Sequence, residues 1–297
     1  MLCLFALALS LPLLAQSDDD VAMRFYPERL DDIYRQNHDP GKTPRRYTTL
    51  LRLDLDRSGR EDYLAVAYSN GLAAGLLLIK GSAANAVVVA EAPDKAMGGK
   101  GIPVLEPVDI DDDGVPELLV RFWRESWVYR YSGGELVLFG PTRIGPQGPT
   151  SNLGNVTMFD LDGDGTLEIL EEAPPSVEAA YIAHKLGAGG TFTQLPGAIG
   201  FADRFERAEG EPEQQQRQFA AKPGDYILRV VNGDQEKKNT VTSGEIRLNG
   251  KLVAGPSDFK KASNTFSVPV KLLADNALTV DLRSDPASFL YISLIRK

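Results

Sequence analysis

The sequence predicts an all-β protein in which an array of repeated β-units precedes a β-sandwich. Three observations support this fold class. A segment rich in Asp and Gly recurs three times, starting at Asp54, Asp109 and Asp160, and such self-similarity at roughly 50 residues indicates repeated supersecondary units. After residue 217, apolar and polar residues alternate in short runs between turn signals. The length of 297 residues with 43% hydrophobic residues fits about two globular domains.

Composition argues against several function classes. The chain has 32 basic and 41 acidic residues, a formal net charge of -9, which disfavours binding to nucleic-acid phosphates. The last 80 residues hold 12 basic and 8 acidic residues, so the acid is concentrated earlier. One cysteine, Cys3, and two histidines, His38 and His184, exclude a disulfide framework, a Cys-ligated zinc site and a multi-histidine centre.

The N-terminus carries an apolar run, MLCLFALALSLPLLA. It is shorter than the roughly 20 residues that span a bilayer, and it is typical of the core of a secretory signal. We expect residues 1–16 to be a signal peptide, with Cys3 lost on cleavage; a buried N-terminal strand or helix is the alternative. A mature protein that is secreted, periplasmic or on the cell surface follows, with no stable membrane span.

The three repeated segments share one layout, and we name them loop 1 (54–62), loop 2 (109–117) and loop 3 (160–168). An apolar strand enters each loop, side-chain oxygens recur at positions one, three and five, and an acid stands at position nine. Glycine at position six permits a sharp turn because it adopts positive φ without strain. A second apolar strand then leaves the loop.

Alternate oxygens on a tightly curled backbone converge on one point, which suits a hard cation. Ca²⁺ takes about six to eight oxygen ligands, and position seven could add a backbone carbonyl. An EF-hand would place its last ligand at position twelve, where Ala65, Val120 and Glu171 stand, so that interpretation fails for loops 1 and 2. Solvated acidic turns are the other alternative. Loop 1 has Ser58 in place of an aspartate, with Arg57 and Arg60 beside it, which predicts the weakest site there.

The segments DLDRSGRED, DIDDDGVPE and DLDGDGTLE, with their following strands, resemble FG-GAP/VCBS repeats, the β-propeller blades of integrin α-subunit heads and many bacterial exported proteins. The resemblance covers about residues 45 to 200. In that family the loop binds Ca²⁺ within a blade, which implies calcium as the cofactor here. The implied ligands are Asp54, Asp56, Ser58, Asp62, Asp109, Asp111, Asp113, Glu117, Asp160, Asp162, Asp164 and Glu168.

The predicted repeat domain spans residues 17–201, with an N-terminal extension, 17–45, in which Tyr26–Asn37 has a helical pattern. Strands at Gly75–Lys80, Ala86–Glu91 and Pro103–Val108 complete the first interval and give four-stranded units. A closed propeller usually needs at least four blades, and only three loops precede Ala202. We therefore expect a partial or small propeller-like domain, open, closed by N-terminal residues, or closed by association.

Residues 202–217 are polar and rich in Glu and Gln, and we expect a linker there. Residues 218–297 carry six or seven short alternating runs, which predict an Ig-like β-sandwich. The runs LRVVNGD, SGEIRLNGKLVAGPSDF and NALTVDLRS resemble a small β-sandwich module that recurs, often C-terminally, in bacterial exported and surface proteins. That resemblance implies an accessory role in adhesion or ligand binding.

The expected function is that of an exported calcium-binding protein that binds a protein or glycan partner, with structural Ca²⁺ in the three loops. We expect no enzyme, because no base–nucleophile pair is recognisable. A structural component of an envelope complex and a hydrolase with an unrecognised site are the alternatives. Trp123, Trp127, Tyr129 and Tyr131 share a strand face, which fits either a sugar-stacking platform or packing between repeats.

Overall fold

A computed structural model describes residues 17–37, 44–70, 73–81, 85–92, 97–98, 102–122, 125–141, 143–145, 148–150, 155–173, 179–233, 239–260 and 264–297. Strands dominate these residues and the helices are short, which confirms the predicted all-β class. The proposed signal peptide, 1–16, lies outside them. No helix in the described ranges has the length and apolar content needed to cross a bilayer.

The chain divides into two compact units, one of residues 1–105 and 131–136, the other of residues 106–130 and 137–297. The first unit begins with α1 (Asp18–Arg24) and α2 (Arg29–Asn37). Ser17 caps α1, because its hydroxyl accepts the Asp20 N–H while the Asp20 carboxylate accepts the Ser17 N–H. The helical pattern predicted over Tyr26–Asn37 is confirmed by α2.

The first sheet has the strand order β1-β2-β3-β4, with β5 also paired to β3. Its strands are β1 (Tyr47–Leu53), β2 (Tyr63–Ser69), β3 (Ala73–Lys80), β4 (Val87–Glu91) and β5 (Met97–Gly98). The central strands β2 and β3 are buried on both faces, and residues of both helices, such as Val21 and Leu30, pack on them. A strand buried on both sides is apolar throughout, as YLAVAYS is.

Two further four-stranded meanders follow. The second consists of β6 (Val104–Val108), β7 (Glu117–Phe122), β8 (Glu125–Ser132) and β9 (Glu135–Leu138). A short hairpin, β10 (Arg143–Gly145) and β11 (Gly148–Thr150), precedes the third. The third consists of β12 (Val156–Phe159), β13 (Glu168–Glu172), β14 (Tyr181–Gly187) and β15 (Thr191–Gln194).

Each acidic loop occupies the same place in its meander. Loop 1 joins β1 to β2, loop 2 joins β6 to β7, and loop 3 joins β12 to β13. The four-stranded antiparallel meander is also the unit of a propeller blade. The strands predicted at Gly75–Lys80, Ala86–Glu91 and Pro103–Val108 correspond to β3, β4 and β6.

The remaining strands form a β-sandwich. They are β16 (Ile199–Glu206), β17 (Gln214–Ala220), β18 (Gly224–Asn232), β19 (Gly244–Leu248), β20 (Lys251–Ala254), β21 (Thr265–Leu272), β22 (Asp275–Leu282) and β23 (Phe289–Arg296). One layer has the order β16-β23-β18-β21 and the other β17-β22-β19-β20. A single core, with Leu228, Val280 and Ile292 fully buried, lies between them. The Ig-like topology stays a prediction.

The segment expected to be a linker is largely strand. Residues 202–206 belong to β16 and residues 214–217 to β17. Phe201 and Phe205 of β16 enter the sandwich core, and Ala202 is buried against the core of the third meander. The polar average over residues 202–217 therefore hides buried strand residues. β16 also pairs with β14 at Tyr181 and Ile199. The third meander and one sandwich layer therefore share an eight-stranded sheet.

The three loops repeat one backbone conformation. Position four has positive φ in each, with 56° at Arg57, 55° at Asp112 and 78° at Gly163, and so does the glycine at position six. Loop 3 needs glycine at position four for a second reason. A Cβ on Gly163 would overlap the Thr265 hydroxyl of β21, because the sandwich layer packs against this loop.

Gly163→Ala should therefore lower the free energy of unfolding by more than the backbone penalty alone. An alanine at positive φ costs about 1–2 kcal/mol, and overpacking against Thr265 should add about 1–3 kcal/mol. Gly189→Ala is the matched control, because Gly189 has φ of 84° and no atom within 4 Å of an added Cβ. Urea unfolding measures both, and equal losses would contradict the proposed contact.

Candidate metal centre

The acid at position nine closes loops 2 and 3 in the same way. Glu117 Oε2 accepts the Ile110 N–H at 2.9 Å, and Glu168 Oε2 accepts the Leu161 N–H at 2.6 Å. Both glutamates are at most 1% exposed. Glu117 and Glu168 are the first residues of the strands that leave the loops, and each bonds the second residue of its loop. This bond holds a buried carboxyl group at the base of the turn.

The aspartate at position one collects the amides of the turn. Asp109 accepts the N–H groups of Asp113 and Gly114 at 3.1 and 2.8 Å. Asp54 accepts those of Ser58 and Gly59 at 3.0 and 2.7 Å. The corresponding donors to Asp160 are Gly163 and Gly165, at 2.6 and 3.1 Å. These bonds fix the curled backbone that the Asp–Gly spacing predicts.

Positions one, three and nine come together in two of the three loops. Within each group, one carboxylate oxygen per residue lies within 4.8 Å of the others, a spacing that could hold a metal ion. The groups are Asp109, Asp111 and Glu117, and Asp160, Asp162 and Glu168. Position five lies outside both groups: Asp113 accepts the Val115 N–H at 2.7 Å, and Asp164 accepts the Thr166 N–H at 3.0 Å.

Loop 1 forms no such group among the residues that the structure describes. Asp56 Oδ2 lies 3.1 Å from Lys80 Nζ, and Asp62 pairs with Arg60 at 3.2 Å. A hydrogen bond from Ser58, and to a lesser extent one from Lys80, lowers the pKa of Asp56 to about 2. These basic residues stand where the sequence predicts the weakest site.

A basic residue on the third strand of each meander reaches the loop, and sequence reasoning missed all three. Lys80 of β3 contacts loop 1, Arg130 of β8 contacts loop 2, and Lys185 of β14 contacts loop 3. The register explains the last contact, since Ile169 pairs with His184 and so Glu168 lies beside Lys185. A basic residue recurs on the second strand after each loop, and this recurrence was the signal in the sequence that could have identified the three residues.

Burial dominates the electrostatics of loops 2 and 3. Desolvation raises the pKa of Glu168 to about 7, against an ordinary value of 4.5. Desolvation also raises the pKa of Glu117, although the Ile110 amide and Arg130 oppose it. The pKa of Asp160 is raised for the same reason, opposed by the amides of Gly163 and Gly165. A cation at either cluster would favour the ionised forms.

The donor chemistry of the two clusters fits a hard divalent cation. Carboxylate oxygens are the ligands that Ca²⁺ and Mg²⁺ prefer. Asp111 Oδ1 and Glu168 Oε1 are buried and accept no hydrogen bond, an arrangement that costs free energy unless another partner compensates it. These residues would hold the ion, which would neutralise the loop acids.

Two other features of the sequence, the aromatic strand face and His184, were considered as functional candidates. Trp127 and Tyr129 are 7% and 2% exposed, which identifies this part of the aromatic face as packing and not as a sugar platform. His184 lies with its Nε2 3.9 Å from Glu171 Oε2, and Glu171 is 1% exposed. The contact joins the neighbouring strands β13 and β14, with Glu171 buried and His184 partly buried.

Comparison with known proteins agrees with the repeat motif. Residues 109–171 match the sequence model of the FG-GAP-like repeat family, which confirms the predicted resemblance for the segment that contains loops 2 and 3. No curated protein sequence gives a significant match.

Among solved structures, an exo-inulinase from Aspergillus awamori resembles the chain with a TM-score of 0.25 and 10% sequence identity. The similarity covers 84% of this chain and 66% of that one, just under two thirds of its length. At this TM-score the likeness supports no conclusion on fold or activity.

The raised pKa of Glu168 predicts a pH dependence of the metal-free protein. The folded state keeps the proton up to about pH 7, whereas the unfolded chain releases it near pH 4.5. The free energy of unfolding should therefore fall as pH rises through this window, by about 3 kcal/mol. Urea unfolding in EDTA between pH 4.5 and 8 measures the fall.

Glu168→Gln should reduce this fall, with a smaller remainder from Glu117. Glu172→Gln, a change at an exposed strand residue, should leave it unchanged. A wild-type slope that Glu168→Gln does not alter would show that burial of Glu168 is not its origin.

Proposed function

We propose that the protein is an exported calcium-binding module whose loops use the ion to stabilise their fold. The observation that supports this most directly is the pair of three-carboxylate clusters, each within 4.8 Å. Each cluster buries its one glutamate beneath a turn whose amides already bond the first aspartate. Buried carboxylates repel one another and lose hydration, and a divalent cation offsets both effects.

Calcium is favoured over magnesium by the character of the donors. Ca²⁺ accepts irregular sets of about six to eight oxygens, whereas Mg²⁺ demands near-octahedral geometry and keeps several waters. A loop that brings three carboxylates within 4.8 Å of one another and could add the position-seven carbonyl suits the larger ion. The predicted signal peptide fits this assignment, because an exported protein would meet more calcium than a cytosolic one.

The proposed wider role is non-catalytic binding of a partner, a protein or a glycan. The sandwich carries a groove of about 470 Å³ beside its edge strands β20 and β21, a size typical of ligand sites. Leu248, Val253 and Val270 supply apolar surface. The side chains of Lys251, Lys271 and Lys297 outnumber that of Asp225, whose Oδ1 lies 3.7 Å from Lys271 Nζ, so the lining side chains carry net positive charge. This charge favours a ligand that bears carboxylates, from an acidic glycan or an acidic peptide segment.

Calcium in excess should raise the free energy of unfolding relative to EDTA. Binding to the native state alone contributes about 2.7 kcal/mol per site when the free ion is a hundredfold above Kd. Asp162→Ala should diminish the rise, because Asp162 belongs to the loop 3 cluster. Thermal and urea unfolding with Ca²⁺, Mg²⁺ and EDTA make the comparison.

Asp225→Ala is the matched control for Asp162→Ala, because Asp225 has a side chain that is 67% exposed and lies outside the loops. It should keep the full response to calcium. Coincident melts in Ca²⁺ and EDTA, with no calcium detected in the EDTA-treated protein, would refute calcium binding.

Reversing charge in the groove should abolish binding of a carboxylate-bearing ligand. Lys251→Glu combined with Lys271→Glu should weaken binding at least tenfold, since two charge contacts become repulsive. Lys260→Glu, an exposed residue outside the groove, is the control. Binding to a glycan array with uronic-acid and neutral members, and to an acidic peptide, distinguishes a glycan ligand from a peptide ligand. Equal binding by the Lys251→Glu/Lys271→Glu variant and the Lys260→Glu control would contradict this site.

A further inference from the structure

Loops 2 and 3 share an acidic pattern, yet the protein neutralises them differently. In loop 2 the neutralising group is the Arg130 guanidinium. Its Nε donates to Glu117 Oε1 at 2.6 Å, and its Nη2 donates to Asp111 Oδ2 at 2.7 Å. The guanidinium carbon also lies 3.6 Å from the centroid of the Phe139 ring. Arg130 is therefore held by two carboxylates and one aromatic face.

In loop 3 the neutralising group is the Lys185 ammonium. It pairs with Asp162 and with Asp164, the latter at 2.5 Å, and lies 3.5 Å from Glu168 Oε1. Glu168 is completely buried, and this Oε1 atom accepts no hydrogen bond. The corresponding atom of loop 2, Glu117 Oε1, is bonded by Arg130. Each loop thus keeps one buried carboxylate oxygen without a hydrogen bond, Asp111 Oδ1 in loop 2 and Glu168 Oε1 in loop 3. Loop 3 differs because this oxygen belongs to the fully buried acid at position nine.

We propose that loop 3 takes a divalent cation, whereas Arg130 serves loop 2 as a permanent internal counter-ion that keeps the metal out. This inference rests on the proposed function and assigns its site. A guanidinium stays charged at all physiological pH values and bonds in a fixed planar fork. A metal ion that entered loop 2 would have to displace Arg130, which would break the bonds from Arg130 to Glu117 and Asp111 and its contact with the Phe139 ring. Asp111 Oδ1 has no donor, but Arg130 already bonds the same carboxylate.

Lys185 is the displaceable counterpart. Its ammonium is a single charge on a flexible stem and lacks a fixed planar fork, so it can turn to solvent when a divalent cation arrives. The exposed fractions of the Lys185 and Arg130 side chains are nearly equal, 24% and 26%, so the difference lies in the geometry of the cation. One charge shared by three carboxylates compensates them less completely than Ca²⁺ would. Lys185 then sets the affinity of loop 3 by competing with the metal.

Calorimetric titration of the EDTA-stripped full chain with CaCl₂ tests the assignment. We expect one tight equivalent in the wild type, lost in Glu168→Gln. Arg130→Met, which keeps an apolar stem against Phe139, should add a second equivalent. Lys185→Met should keep one equivalent and bind it roughly fivefold more tightly, as removal of a competing ion pair of about 1 kcal/mol predicts.

Asp111→Asn provides a second test of loop 2 in case Arg130→Met does not fold. Circular dichroism of each metal-free variant checks that it is folded. Because loop 2 is expected to hold no metal, Asp111→Asn should leave the wild-type stoichiometry at one. Two equivalents in the wild type, falling to one in Asp111→Asn, would overturn the assignment while leaving calcium binding intact. No binding by the wild type would instead remove the proposed function itself.

Discussion

The burial of a carboxylate at position nine is the constraint on which the loops depend. Glu117 and Glu168 lie beneath their turns, where desolvation raises their pKa values. Each gains one backbone amide from the second residue of its loop, and this bond ties the outgoing strand to the incoming one. The amide compensates one oxygen only. The remaining negative charge is balanced by a proton, by a side-chain cation or by a metal, and the electrostatics of each loop depend on which of these is present.

One motif therefore has three electrostatic outcomes. In loop 1 the acid at position nine is the shorter Asp62, which pairs with Arg60, and Lys80 bonds Asp56. In loop 2 a guanidinium bridges two carboxylates, and in loop 3 an ammonium is shared among three. The differences come from β3, β8 and β14, the third strands of the meanders. A consensus for the loop alone describes the backbone well and the charge balance poorly.

Loop 3 also differs because the sandwich packs against it. Arg229 of β18 donates to the Asp162 carbonyl at 2.7 Å, and Thr265 of β21 occupies the space where Gly163 would carry a side chain. Arg57 and Asp112 show that a side chain is tolerated at this position in the other loops. An ion in loop 3 would thus stabilise a turn that the C-terminal layer already contacts, in addition to the pairing of β14 with β16.

The sequence alone determined much of the local structure. Spacing of Asp and Gly located the three turns, alternation located most strands of the sandwich, and the Tyr26–Asn37 pattern located α2, because these signals depend on neighbours a few residues apart. Polar composition misled at residues 202–217, where two strands lie, since a half-buried strand needs only every second residue to be apolar. Tertiary structure alone decided which carboxylates converge and which cation compensates them. Glu117 and Arg130, like Glu168 and Lys185, meet only through strand pairing, and a buried oxygen without a donor exists only once the chain has folded around it.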